Sequence, residues 1–275
     1  MVSKLLVFGG NGFLGRRICQ EAVKNGFQVM SLSRSGRPPR PQSLQDKEWI
    51  GEVQWEAADV FDPLSYNRHL RDATDVVHSL GILLEDESYK VKVRNPLNKS
   101  FDLKSLIPSF GSNPLDKKNP NFTYERMNKE SALILAQAFR QTLSSNESKR
   151  AEMPTFTYIS ADKGFPLIPK GYINSKRQAE AELMHYEDFF RPILVRPGFM
   201  FDEYKTSSDA RSYVHNGLEL LNCGNRVLLR NKLHFVNELI RPTISTQQVS
   251  RNIISKIRDP SFSGIVSLES MLSMN

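Results

Sequence analysis

The chain has 275 residues, 39% of them hydrophobic, which suffices for one large core with at most a small appended lobe. Charged residues make up 24%, and no run reaches the roughly eighteen apolar residues of a membrane helix, so a soluble, globular body without a membrane-spanning helix is expected. The formal charge of +7 is spread without a dense basic run, and the two cysteines, Cys19 and Cys223, and five histidines show neither disulfide nor metal-ligand spacing, so nucleic acid and metal are not expected. Met1-Val2-Ser3-Lys4 leads straight into an apolar run, and no cleavable leader is expected in the sequence as it stands. In chain order, strands are predicted over 4–9, 28–33, 53–57 and 75–80, with a helix over 13–25 whose Leu14, Ile18, Ala22 and Val23 share a face before Gly26. The segment 85–122, with Pro96, Pro108, Pro114 and Pro120, breaks the rhythm and reads as an insertion, either a functional lid or an excursion. Helices over 124–143 and 172–187 then alternate with strands over 155–160 and 192–196. After 198 come helices over 210–222 and 246–258 and short strands over 226–229 and 264–268, which predicts a small C-terminal lobe, 199–275, on a single domain spanning 1–275.

This alternation of strand and helix is the pattern of βαβ units, and the expected fold is α/β: a Rossmann-type doubly wound parallel sheet. The most specific local signal is the stretch Leu5-Leu6-Val7-Phe8-Gly9-Gly10-Asn11-Gly12-Phe13-Leu14-Gly15, a buried strand running into a helix through closely spaced glycines. A dinucleotide pyrophosphate needs this arrangement. Gly9 allows the tight turn, Gly12 removes a side chain from the phosphate's path, and Gly15 lets helix and strand approach, while free N–H groups and the positive helix end face the anion.

The spacing Gly9-x-x-Gly12-x-x-Gly15 resembles that of the extended and atypical short-chain dehydrogenase/reductase family, and the resemblance spans nearly the whole chain. It implies a nicotinamide dinucleotide. The second strand's end would meet the adenosine ribose, where a carboxylate suits NAD and a basic residue suits the 2′-phosphate of NADP. Ser33-Arg34 stands there with no acid, which favours NADP(H) over NAD(H), the alternative being a solvated arginine in a turn. Asp59-Val60 matches the position beside the adenine, although Asp59 equally suits a helix cap near Pro63. His78-Ser79-Leu80 matches the segment lining the ribose, although His78 equally suits the core, and Pro197 matches a pocket-shaping segment at the sixth strand's end.

Tyr172 and Lys176 carry the family's Tyr-x-x-x-Lys pair, one helical turn apart. In that family the tyrosine trades a proton with the substrate oxygen while the lysine lowers its pKa and holds the nicotinamide ribose. The hydroxyl that polarises the substrate carbonyl is expected at Ala161, which lacks one, so Ser160 serves only where the turn brings it to the pocket. Several stretches, among them Val77-His78-Ser79-Leu80-Gly81-Ile82-Leu83 and Arg196-Pro197-Gly198-Phe199-Met200-Phe201-Asp202, resemble the branch of the family in the fungal mitochondrial coenzyme Q biosynthesis complex. They are more distantly similar to the branch holding the NADPH-binding accessory subunit of respiratory complex I. This implies the matrix face of the mitochondrial inner membrane, other coenzyme Q biosynthesis proteins as partners, and one of two roles. Tyr172 and Lys176 point to an NADP-dependent oxidoreductase, and Ala161 to a subunit that holds its cofactor without turnover.

Overall fold

The computed structural model describes residues 3–41, 43–82, 122–145, 152–163, 169–204 and 241–273. Strands β1 (Lys4–Phe8), β2 (Gln28–Ser33), β3 (Gln54–Ala57), β4 (Asp75–His78), β5 (Thr155–Ile159), β6 (Arg191–Val195) and a late strand form one seven-stranded sheet, every pairing parallel. Two short strands, β7 (Met200–Phe201) and β8 (Ile244–Ser245), pair with each other apart from it, and the late strand of the main sheet is β9 (Gly264–Val266). The order β3-β2-β1-β4-β5-β6-β9 reverses direction between β1 and β4, which places a ligand crevice at the carboxyl ends of those two strands.

The helices are α1 (Gly15–Lys24), α2 (Leu44–Glu52), α3 (Asn67–Leu70), α4 (Ser131–Ser145), α5 (Lys170–Met184), α6 (Thr246–Arg258) and α7 (Leu268–Ser273). Strands β1, β4, β5 and β6 are buried on both faces, as parallel strands between helix layers must be. Leu5, Val7, Val77, Ile193 and Val195 meet Ile18 of α1 and Ile253 and Ile257 of α6. Leu6, Phe8, Val76, Phe156 and Leu194 meet Leu135 and Phe139 of α4 and Leu183 of α5.

Among the described residues the predicted strands and long helices stand within a few residues of their expected ends; the helix expected over 210–222 and the strand over 226–229 lie outside the described residues. The helix expected over 124–143 is divided, because a π-helical turn, Glu125–Glu130, precedes α4. Sequence reasoning missed α2, whose apolar face is little more than Trp49 and whose cap is Ser43, accepting the Asp46 N–H at 3.0 Å. It also missed α3, α7, β7 and β8, which are too short for periodicity to show. Of the expected C-terminal lobe, residues 241–273 lay α6 and α7 on the body and complete the sheet with β9, while 205–240 lie outside the described residues. Of the insertion, only Phe122 is described, in a small cluster with Ile82, Tyr124 and Met127.

A buried ion pair ties the β7–β8 unit to α1. The Arg17 guanidinium, 2% exposed, donates through Nε and Nη2 to Asp202, at 3.0 Å for the closest contact, and through Nη1 to Gln20 at 2.8 Å. Gln247 at the start of α6 donates to the same carboxylate at 2.7 Å, and the Tyr204 ring covers the guanidinium at 4.8 Å. Satisfied on every side, the pair is costly only if one member is lost.

Candidate functional site

The glycine turn leaves β1 at Gly9, whose φ of +88° only glycine adopts without strain and whose N–H donates to the Leu32 carbonyl at 2.8 Å. The Gly9 carbonyl turns back to accept the Gly12 N–H at 2.9 Å. A side chain at Gly15 would collide with that carbonyl, so α1 starts against the turn only because residue 15 has none. A Cβ at Gly10 would press on Ser31 and Cys19, so Gly10 faces the interior, and Leu14 is likewise in the core. Among the described residues a Cβ at Gly12 would meet nothing but the Gly9 oxygen, 3.0 Å away. No side chain caps α1 and no acidic residue stands in its first turn, so the positive helix end beside Asn11, Gly12 and Phe13 suits a pyrophosphate.

Asn11 joins this turn to the end of β2. Its Nδ2 donates to the Ser33 and Ser35 hydroxyls, both at 3.3 Å, and to the Arg37 carbonyl at 3.4 Å. Arg34, Arg37 and Arg40 are exposed along this loop with no acid between Ser33 and Pro41. Sequence reasoning singled out Arg34 alone; the other two were legible as the same Arg-x-x-Arg spacing. At the end of β3 the Asp59 carboxylate accepts the Phe61 N–H at 3.0 Å on the surface, and Val60 is buried. The capping role considered for Asp59 belongs to Asp62, which accepts the Leu64 N–H before the 3₁₀ turn Pro63–Ser65.

The end of β4 closes over the same crevice. Ser79 N–H donates to the Phe8 carbonyl at 2.9 Å, and the Leu80 side chain lies against Gly9. His78 does not line the turn. Its ring is fully buried beside Tyr158, with Nε2 at 2.9 Å from the Ser131 hydroxyl, and burial with the nearby Lys176 charge lowers its pKa to about 3, so it is neutral. Its backbone, not its side chain, belongs to the crevice.

Helix α5 places Lys176 under the end of β5. The ammonium is 3% exposed, donates to the Ile159 carbonyl at 2.7 Å and stands 4.7 Å above the Tyr158 ring. Burial pushes its pKa down to about 7 against the opposing pull of Glu180. Tyr172, one turn earlier and half-buried, meets the Tyr124 ring edge-on at 6.1 Å. Asn128, in the π-helical turn and fully buried, is a residue the sequence did not disclose. Its side chain pairs with both backbone groups of Ile82 and donates to Ser175, and its carbonyl accepts the Tyr158 hydroxyl at 2.6 Å. One side chain thus ties the exit of β4 to the helix carrying Tyr172 and Lys176.

Strand parity decides the position of the Ser160 hydroxyl. The Ser160 N–H bonds the Val195 carbonyl at 2.8 Å, so the ladder reaches it, and it shares the sheet face of Tyr158, the side of α5. Ala161 falls on the opposite face. Ser160 Oγ accepts from Arg177 Nη1 at 3.1 Å, and the same guanidinium donates to the carbonyls of Ala161 at 2.8 Å and Asp162 at 3.3 Å. Glu180, 4% exposed, holds Arg177 at 2.8 Å and Arg196 at 2.5 Å. Asp162 holds Arg241 at 2.6 Å through its carboxylate, and its N–H donates to the Pro197 carbonyl at 2.8 Å. Glu180 follows Lys176 by one turn, a spacing that was readable in the sequence; Arg177 was masked by its neighbours. Among the described residues no His, Cys, Asp or Glu cluster suits a metal, and no helix is long and apolar enough to cross a membrane.

Residues 5–91 match the NAD dependent epimerase/dehydratase family. The chain is 59% identical over 279 aligned residues, 99% of each protein, to MIOREX complex component 2 of Saccharomyces cerevisiae. The chain belongs to the short-chain dehydrogenase/reductase family. An uncharacterized chloroplastic protein of Arabidopsis thaliana is 26% identical over 97% of this chain and 75% of its own. UDP-glucose 4-epimerase of Thermus thermophilus, in complex with NAD, is similar in fold: TM-score 0.55, 17% identity, 96% of this chain and 77% of that one. The family and fold are those of nicotinamide dinucleotide binding, and the turn described above fits such a ligand on its own geometry.

Proposed function

We propose that this protein is an NADP(H)-preferring reductase of a carbonyl intermediate in mitochondrial coenzyme Q biosynthesis, working within a multiprotein complex at the matrix face of the inner membrane. The observation that carries the reductase reading is the convergence of Lys176, Ser160 and the opened Gly9–Gly15 turn at the ends of β1, β4 and β5. Gly12 and the first turn of α1 would hold the pyrophosphate, and Ser33, Arg34 and Asn11 the adenosine ribose with its 2′-phosphate. Once bound, the dinucleotide supplies the hydride. Tyr172 exchanges the proton with the substrate oxygen, Lys176 favours the tyrosinate by its charge, and Ser160 donates a hydrogen bond to the same oxygen. The name of the yeast relative, a complex component, supports a role among protein partners, and the coenzyme Q reading rests on the sequence resemblance of the segments after β4 and β6 alone. A net charge of +7 favours an anionic membrane surface.

One observation favours a second reading, a subunit that holds its cofactor without turnover: Lys176 is covered and already bonded to Ile159. The Tyr172→Phe variant separates the two in cells lacking the native protein. A reductase loses coenzyme Q output by about 10²-fold in the catalysed step with NADPH affinity intact; output at the wild-type level rejects catalysis and leaves the cofactor-holding role.

A further inference from the structure

We infer that Arg177 is a positioning residue for the proposed reaction: it fixes the hydroxyl of Ser160 as the hydrogen-bond donor to the substrate carbonyl. The inference rests on the reductase reading. A guanidinium has five N–H donors and no acceptor. Ser160 Oγ, taking a bond from Arg177 Nη1 at 3.1 Å, therefore turns its own hydrogen away from the arginine. Among the described residues nothing accepts that hydrogen, although Ser160 is only 3% exposed, so the donor is left for a water or for the substrate oxygen that displaces it. The hydroxyl lies on the α5 face of the sheet, the face that also carries Lys176 and Tyr172.

Arg177 itself is held from three directions. Its second amino group bridges the carbonyls of Ala161 and Asp162, and Glu180 fixes the first at 2.8 Å. Glu180 is in turn anchored by Arg196, so the guanidinium cannot swing away without breaking the brace between α5 and the ends of β5 and β6. A hydroxyl that accepts from a cation is a stronger donor than a free one. The arrangement replaces the hydroxyl that Ala161 lacks. A bound dihydronicotinamide would supply the hydride to the carbonyl carbon and leave oxidised, while Tyr172 would give the carbonyl oxygen its proton, forming the alcohol, and Ser160 would hold that oxygen.

The test uses the full chain with NADPH and menadione as the carbonyl probe, following NADPH oxidation for wild type, Ser160→Ala, Arg177→Met, Arg177→Lys and the Ser160→Ala/Arg177→Met double variant. Ser160→Ala is expected to lower kcat about 10²-fold. Arg177→Met is expected to lower kcat by at least about tenfold with NADPH affinity and the menadione KM within about threefold, and the double variant to be no slower than Ser160→Ala, because the two act as one unit. Arg177→Lys, which keeps a cationic donor, should regain part of the loss and controls for folding. Multiplying losses in the double variant, or full activity in Arg177→Met, overturn the role of Arg177 and leave the reductase reading standing. NADPH binding with no menadione-dependent oxidation by wild type overturns the reductase reading and this role with it.

Discussion

Gly15 faces the carbonyl oxygen of Gly9 so closely that any side chain at residue 15 would overlap it. Gly12 differs, since among the described residues a methyl there would touch only that same oxygen, at 3.0 Å. The two alanine variants should therefore behave differently. Gly15→Ala must force α1 off β1 and is expected to destabilise the fold by about 2–4 kcal/mol, while Gly12→Ala costs about 1 kcal/mol or less. Gly12→Ala should nevertheless weaken NADPH binding by about tenfold or more, because the methyl stands where the pyrophosphate approaches. Urea midpoints and NADPH titrations on both variants check this; equal stabilities would show that the turn is looser than described.

Arg17 and Asp202 form the other indispensable contact. Arg17→Met leaves the fully covered Asp202 carboxylate with no cation, only the Gln247 amide and the Tyr204 N–H, and is expected to cost about 3–5 kcal/mol. Adding Asp202→Leu to Arg17→Met should restore much of that loss, because the penalty is an unpaired buried charge. Thermal melts of the single and double variants decide it; an additive loss would mean that the cluster stabilises by packing rather than by pairing.

The pH dependence of stability has a sign fixed by His78. Its pKa is about 3 in the folded chain against 6.5 as its ordinary value, so between those pH values the unfolded chain binds more protons. The stability it contributes is complete above pH 6.5 and declines as pH falls through that window, by at most about 1.4 kcal/mol per pH unit. His78→Gln, which cannot titrate, should show a shallower decline in urea midpoint from pH 7 to pH 5 than wild type. Parallel declines would mean that His78 takes up its proton without unfolding.

The scaffold was legible because parallel strands buried on both faces are near-continuous apolar runs, and Gly9, Gly12 and Gly15 of the first turn have reasons visible in their spacing, whereas the contact of Gly10 with Ser31 and Cys19 is visible only in the fold. Long-range polar contacts were not. Asn128 is an ordinary residue in sequence and becomes a hub only because a π-helical turn aims it at Ile82 and Ser175. The orientation of Ser160 depends on strand parity at the last ladder bond, and on an arginine seventeen positions away. His78 shows the converse: a residue at a promising place in sequence whose side chain belongs to the core, because even and odd positions of β4 face opposite helix layers.

The central claim, that the glycine turn and the arginine-bearing loop after β2 hold NADP(H), is tested most directly by titrating the purified full chain with NADPH and with NADH. Nicotinamide fluorescence and melting temperature are the readouts, and Arg34→Glu is run beside wild type. Saturable binding that raises the melting temperature, with NADPH preferred by about tenfold or more and the preference lost in Arg34→Glu, is the predicted result. Failure of wild type to bind either nucleotide would contradict the account at its base, and binding of NADH in preference to NADPH would contradict the role given to Arg34.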